Sequence, residues 1–430
     1  MTKSVFKKLT TLIFSAIFIK GLGFFFKIYL SKVAGAEGCG LYHLVLSVYA
    51  LMASVSSFGI SQTLSRLIAY NEKYSKRILK TALIITGIIS IMAFLTVFLN
   101  AKYIAINILK DSRVVSSLKI VAFSFPAIAV FSSVSGYFNG LTKVKYASDG
   151  QIIEQIIRIA FVILFLKKGM ETGIENGMLV LSFGIVLGEY ISAIYIFISF
   201  LIFSKNKNDI FIKRYFVKDI LKISIPVSLG GYISSFLHTV ENILLREKLV
   251  LFGLTNSESV SILGLAKGMA APIIFFPALI TNAVTILAIP KISKEQSRYN
   301  YKNIKRITGK SLFICFVTGV VSAYIFAVFA DKICFFIYSD YNCVIFVKNM
   351  SLALPFIFFN ITASGVLNGM GNHFIVMGEN VFISLIKLMA IVFLVGKIGI
   401  KGYFFGLIFS EMIGFITYFM LIYNYIYKKY

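Results

Sequence analysis

PAIAVFSSVSGYFNG (residues 126–140) and PFIFFNITASGVLNG (residues 355–369) decide the fold. In each stretch a proline precedes a Ser-Gly pair by nine residues, and an Asn-Gly pair follows. Pro126 and Pro355 lie 229 positions apart, as do Asn139 and Asn368, without a gap. The same offset relates Arg158 to Lys387 in the next apolar segment, and an offset of 222 relates Gly184 and Glu189 to Gly406 and Glu411. Small residues recur at any tight membrane-helix interface. Agreement over three consecutive segments, ungapped across the first two and with charges included, points instead to an internal repeat.

Outward from these stretches the chain is oily. Of 430 residues, 58% are hydrophobic and 14% charged, and mean hydropathy is +0.87. A soluble chain carries about 25% charged residues. Apolar runs of about bilayer-spanning length lie at 9–30, 41–68, 78–99, 118–141, 152–166 and 177–203, then at 220–245, 260–289, 311–330, 347–367, 376–395 and 402–423. Residues 103–109 are a further short segment suited to the membrane interface. The pattern predicts an all-α polytopic membrane protein with about 12 transmembrane helices. Six helices per half bring both halves in from the same side. The repeats are then parallel, around a central cleft. The expected division is an N-terminal lobe at 1–204, a basic cytoplasmic linker at 205–219 and a C-terminal lobe at 220–430.

Forty-three Lys and Arg against eighteen Asp and Glu give a net charge of +25. Basic residues concentrate on alternate loops, at 3–8, 73–80, 143–145, 205–222, 291–310 and 428–429, with about half as many on the opposite loops. By the positive-inside rule both termini are cytoplasmic, in a multi-pass protein of the cell membrane. The dispersed charge suits anionic lipid and not nucleic acid. The first run lacks a small-residue cleavage site and reads as a retained helix. Four cysteines without a CxxC and three scattered histidines exclude a disulfide framework and a metal cluster, and the lack of a Walker loop argues against an ATP-driven pump on this chain alone; no cofactor is expected. Cys334 and Cys343 share one external loop, where a disulfide is a minor alternative.

Ionisable residues inside membrane helices are costly and therefore candidates for function. The cations are Lys20, Lys27, Arg66, Lys119, Arg158, Lys267 and Lys387; the acids are Glu154, Glu189, Glu241 and Glu411. Lys20 and Lys27 are seven residues apart, hence on one helix face. Lys267 is flanked by Gly264, Gly268 and Pro272, which can open the helix. Several cations facing one cleft suit a phosphate or diphosphate. Bland readings stand beside these. Lys119, near a helix end, reads as a snorkelling residue. Glu154 and Arg158, four apart, can simply neutralise each other. Glu189 and Glu411 read either as buried partners of a cation in their own lobe or as ion-coupling sites. Glu241 shares a face with His238, either as a proton relay or with His238 merely packed.

The stretches GLGFFFKIYLSKVAGAEGCGLYHL (Gly21–Leu44), FGISQTLSRLIA (Phe58–Ala69), SGYFNGLTKVKYASDGQIIEQIIRI (Ser135–Ile159) and GLAKGMAAPIIFFPALITNAVTILAIPKIS (Gly264–Ser293) resemble the stage V sporulation protein B family. That family belongs to the polysaccharide-transporter branch of the multidrug/oligosaccharidyl-lipid/polysaccharide flippase superfamily. The resemblance covers nearly the whole chain. It implies a MATE-like fold of two six-helix lobes and movement of a lipid-linked sugar, such as an undecaprenyl-diphosphate-linked peptidoglycan precursor for the spore cortex. MurJ-type lipid II flippases of the same superfamily use basic residues of their first, second and eighth helices; Lys20, Lys27, Arg66 and Lys267 lie in the corresponding helices here. Many members carry two further C-terminal helices, for which the twelve runs here leave no counterpart.

The expected function is therefore a non-enzymatic flippase for a lipid-linked oligosaccharide, working by alternating access with H+ or Na+ as the candidate coupling ion. Cell-wall synthesis enzymes are candidate partners. The alternatives are an ion-coupled drug or metabolite antiporter of the same fold, and a scaffold or membrane enzyme of wall synthesis. A cation-exporting antiporter should line its cleft with acids. An enzyme should show a carboxylate pair or a histidine at a membrane face, with a larger loop.

Overall fold

The computed structural model describes the backbone of residues 3–204 and 216–428 and the side chains of residues 18–204 and 216–426. Every named element is helical, and no strand occurs among the described residues. The side chains of Lys3, Lys7, Lys8, Lys428 and Lys429, and the linker at 205–215, lie outside them.

The first two apolar runs form one long helix, α1 (Lys3–Ser57), followed past Phe58-Gly59 by α2 (Ile60–Tyr70). Gly35 interrupts α1 with φ 65° and ψ −173°, a backbone state that only glycine enters without strain. The 53 residues from Phe18 to Tyr70 extend about 80 Å at helical rise, against about 30 Å of bilayer hydrocarbon. That length accommodates the two crossings read there. Next, α3 (Ser75–Tyr103) continues without interruption through a π-helical turn at Ile104–Ile108. The segment at 103–109 thus extends a helix and is not a separate interfacial piece.

Besides the interruption of the second run at Phe58-Gly59, three runs predicted as continuous helices are bent by more than 40°. The fourth divides into α4 (Val115–Ala122) and α5 (Ser124–Gly140), bent by 41°. The eighth spans α9 (Asn256–Leu263), a π-helical stretch at Gly264–Ala270, α10 (Ala271–Ile274) and, after a 60° bend, α11 (Ala278–Ser297). The tenth divides, after α12 (Tyr301–Tyr338), into α13 (Val344–Ser351) and α14 (Leu354–Gly369), bent by 55°. A proline follows each bend. Its missing N–H and its ring disfavour a helix interior and fit a helix start, although the helix Val217–Leu251 and α11 carry Pro226 and Pro290 inside them. Pro126 and Pro355 therefore sit just past equivalent bends.

The remaining helices are α6 (Lys145–Glu171), α7 (Ile174–Ser204), α8 (Val217–Leu251), α15 (His373–Ala390) with a π-helical turn at Ile391–Val395, α16 (Gly396–Ile398) and α17 (Ile400–Ile422). Seven described helices are long and apolar enough to cross a membrane, or ten with each bent pair taken as one span. Charged α6, and the double length of Phe18–Tyr70, make this compatible with twelve crossings. The protein is an all-α multi-pass membrane protein.

The chain forms two compact units: residues up to Ala34 with Leu41–Thr239, and Gly35–Gly40 with Val240 onward. In the first unit the core joins Ile60, Leu64 and Ile68 of α2 to Val134, Tyr137 and Phe138 of α5 and Ile78 of α3. In the second it joins Ala288 and Ile292 of α11 to Ala363, Val366 and Leu367 of α14 and Tyr418 of α17. The repeated glycines explain the likeness. A Cβ on Gly136 would come 2.8 Å from the Ser61 backbone, and one on Gly365 would come 2.1 Å from Thr285. Likewise a Cβ on Gly184 would strike Val162 at 2.8 Å, and one on Gly406 would strike Ala390 at 2.6 Å. Each unit thus packs α5 on α2 and α7 on α6, or α14 on α11 and α17 on α15, with a glycine at the point of closest approach.

Candidate functional site

The second unit gathers its buried charges on one carboxylate. Glu241 is on α8 and 2% exposed. Its Oε1 accepts from Lys267 Nζ at 2.5 Å and its Oε2 from Lys387 Nζ at 2.7 Å. The Tyr403 hydroxyl on α17 donates to the same Oε1 at 3.3 Å. The Lys267 ammonium also lies 5.5 Å from the Tyr403 ring centroid, a cation–π contact that desolvation strengthens. An isolated ion in hydrocarbon would cost several kcal/mol; close partners and further hydrogen bonds offset that cost. The π-helical stretch positions Lys267, since a wider turn re-aims the side chains it carries. Its first residue, Gly264, packs directly on the Gly35–Gly40 segment: a Cβ there would meet the Ala36 carbonyl oxygen at 1.8 Å.

Beside this cluster, Asn360 of α14 donates from Nδ2 to the Glu411 carboxylate at 2.9 Å and to the Glu411 carbonyl at 3.0 Å. In the first unit Arg158 and Glu154 form the i,i+4 ion pair at 3.0 Å. Arg158 also donates to the side-chain carbonyl of buried Gln155. Glu189 accepts from the Tyr49 hydroxyl at 2.6 Å. Its neighbour Gly188 fits against the Glu154 carbonyl, where a Cβ would come within 2.9 Å.

The structure therefore brings Lys267, Lys387 and Glu241 together in one unit, and Glu154 and Arg158 together in the other. Glu189 and Glu411 have no cation within ion-pair distance among the described residues; each is held by a neutral donor. Lys20 and Lys27 on α1 and Arg66 on α2 are exposed in the first unit, as is Lys119. His238, one turn before Glu241, is exposed. All four cysteines are free, buried thiols, so the Cys334–Cys343 disulfide does not form. Instead the hydrogen bond with Cys334, then burial, push the Cys343 thiol up. Among the described residues no group of three or more His, Cys, Asp or Glu is placed to hold a metal. Sequence reasoning missed Tyr403, Tyr49, Asn360 and Gln155. They are neutral polar residues inside apolar runs, marked only by their partners, which are distant in the chain for Tyr403, Tyr49 and Asn360 and three residues on for Gln155.

Residues 5–250, more than half of the chain, match the model of a family described as polysaccharide biosynthesis protein. The chain belongs to that family. Among curated relatives, stage V sporulation protein B of Bacillus subtilis (strain 168) is 27% identical over 372 residues, covering 82% of this chain and 70% of that one. Lipid II flippase MurJ of the same organism is 27% identical over 180 residues, covering 38% of this chain and 32% of its own. Two solved structures share the fold of this polysaccharide biosynthesis protein with a TM-score of 0.74. One is an inward-facing multidrug resistance MATE family transporter of the MOP superfamily, 14% identical, with 94% of this chain and 93% of that chain covered. The other is lipid II flippase MurJ in an inward closed conformation, 16% identical, with 96% and 87% covered. The fold is MATE- and MurJ-like.

Proposed function

We propose that the protein is a flippase that moves a lipid-linked oligosaccharide or peptidoglycan precursor across the cytoplasmic membrane by alternating access, for cell-wall or spore-cortex synthesis. The observation that carries this reading is two ammonium groups, Lys267 and Lys387, gathered on one carboxylate inside apolar helices of a polysaccharide biosynthesis protein. The natural counter-charge for such a site is an anion, and lysine engages phosphate as a point charge. The relatives named as a sporulation protein and a lipid II flippase supply the substrate class. We assign Lys20, Lys27, Arg66 and Lys267 to direct contact with the diphosphate and its sugar, and Arg158 and Lys387 to the same cationic set through the carboxylates they hold, while the polyprenyl tail stays in lipid. No bond is made or broken, so the protein is not an enzyme and needs no cofactor. Both termini are cytoplasmic, and residues 205–219 link lobes at 1–204 and 220–430. Glu154, Glu189, Glu241 and Glu411 are the candidate sites for H+ or Na+ coupling.

The test is a flipping assay in liposomes with a fluorescent undecaprenyl-diphosphate disaccharide. Wild type moves the headgroup, and the Lys20→Ala/Lys27→Ala/Lys267→Ala variant is slower by about tenfold or more. Equal rates would refute the cationic site.

One observation favours a second reading. In the first unit two carboxylates, Glu154 and Glu189, lie near the single guanidinium of Arg158. An acid excess is what an ion-coupled drug or metabolite antiporter requires. Drug-dependent H+ or Na+ flux in vesicles, without headgroup transfer, would select it.

A further inference from the structure

We infer that Lys387 is a reserve counter-ion, which holds Glu241 when Lys267 leaves to bind an anionic headgroup. Lys267 is then the mobile ligand and Lys387 a positioning residue. The inference rests on the anion-binding reading of this cluster and says how the cluster releases its cation.

Three observations carry it. First, each oxygen of Glu241 has its own ammonium, at 2.5 and 2.7 Å. A buried carboxylate with one partner loses that partner only at a penalty of roughly a hundredfold or more in the equilibrium. With two, the departure of one leaves a balanced pair. Second, the two lysines differ in access. The side chain of Lys267 is 21% exposed and that of Lys387 10%. Lys267 also stands on a π-helical stretch between Gly264 and Gly268, whereas Lys387 is in the regular part of α15. Third, Tyr403 donates to Oε1, the oxygen that Lys267 holds, and not to the one that Lys387 holds. When Lys267 swings away, Oε1 keeps a donor. The first unit offers the contrast: Arg158, at the repeat position of Lys387, is committed to Glu154 on its own helix.

Isothermal titration of the purified full-length protein with inorganic pyrophosphate at low ionic strength tests this directly. Wild type binds, and Lys267→Gln abolishes binding. Lys387→Gln keeps the Lys267–Glu241 pair and a stable fold, yet weakens binding about tenfold or more, because Glu241 must then give up Lys267 without Lys387 to balance it. The double variant Glu241→Gln/Lys387→Gln unties Lys267 and restores affinity to within about threefold of wild type. Absence of binding by wild type overturns the inference. So does wild-type affinity in Lys387→Gln, or a double variant no better than the single one, which would mean that Lys387 itself touches the anion. If the double variant does not fold, Lys387→Arg decides. It keeps the reserve charge and should bind like wild type; affinity as low as that of Lys387→Gln overturns the inference. Flipping is scored separately. A wild type that shows this binding pattern but moves no headgroup sinks the flippase reading and leaves the reserve counter-ion standing.

Discussion

The carboxylate of Glu241 serves two ammonium groups, so removing it and removing either lysine are unequal injuries. Glu241→Ala strands two cations among apolar helices, and we expect a loss of about 3–5 kcal/mol. Lys267→Ala leaves the Lys387 pair intact, and we expect about 1 kcal/mol. Thermal unfolding in detergent ranks them; a Lys267→Ala variant as unstable as Glu241→Ala would show that the lysines are not redundant. Much of this site was legible as a set. Ionisable residues in apolar runs stand out because each needs a compensating partner. The pairings were not legible. Glu241 reads as a neighbour of His238, one turn away, yet its ion partners come from α15 and from a π-helical stretch 26 residues on. Tyr49 lies 140 residues from Glu189, and an aromatic in an oily run carries no mark of such a bond.

At the scale of the element, glycine does two jobs that the sequence does not distinguish. A Cβ on Gly136 would press into the Ser61 backbone of α2 at 2.8 Å, whereas one on Gly87 in α3 would meet nothing within 4 Å. Gly136→Ala should therefore cost about 1–3 kcal/mol by overpacking. Gly87→Ala should gain about 0.5–1 kcal/mol through the lost backbone freedom of the unfolded chain. Unfolding midpoints of the two variants moving in the same direction would contradict the packing described for α5. The repeat motif around Gly136 was visible from its spacing with Gly365. The bends beside it were not, because a hydropathy window averages across Pro126 and Pro355 and reports one continuous run.

For the whole molecule, orientation is the property most open to experiment. The four native cysteines are buried free thiols, so an impermeant thiol reagent should find little background. Cysteine introduced at exposed Lys80 or Lys294 should be labelled only after the membrane is opened, and cysteine at exposed Lys168 or Lys332 in intact cells. The reverse pattern would invert the topology. What the sequence determined alone is the class of molecule: helical and membrane-spanning, with a motif repeated in its two halves and a basic bias on alternate loops. Those properties are sums over neighbouring residues, and a chain in lipid must satisfy its backbone hydrogen bonds within each helix. Only the tertiary structure decided where the helices break, that Glu189 and Glu411 are held by neutral donors, and that one carboxylate ties two lysines. Each of those depends on atoms meeting within about 3 Å from segments far apart in the chain, and local composition keeps no record of such a meeting.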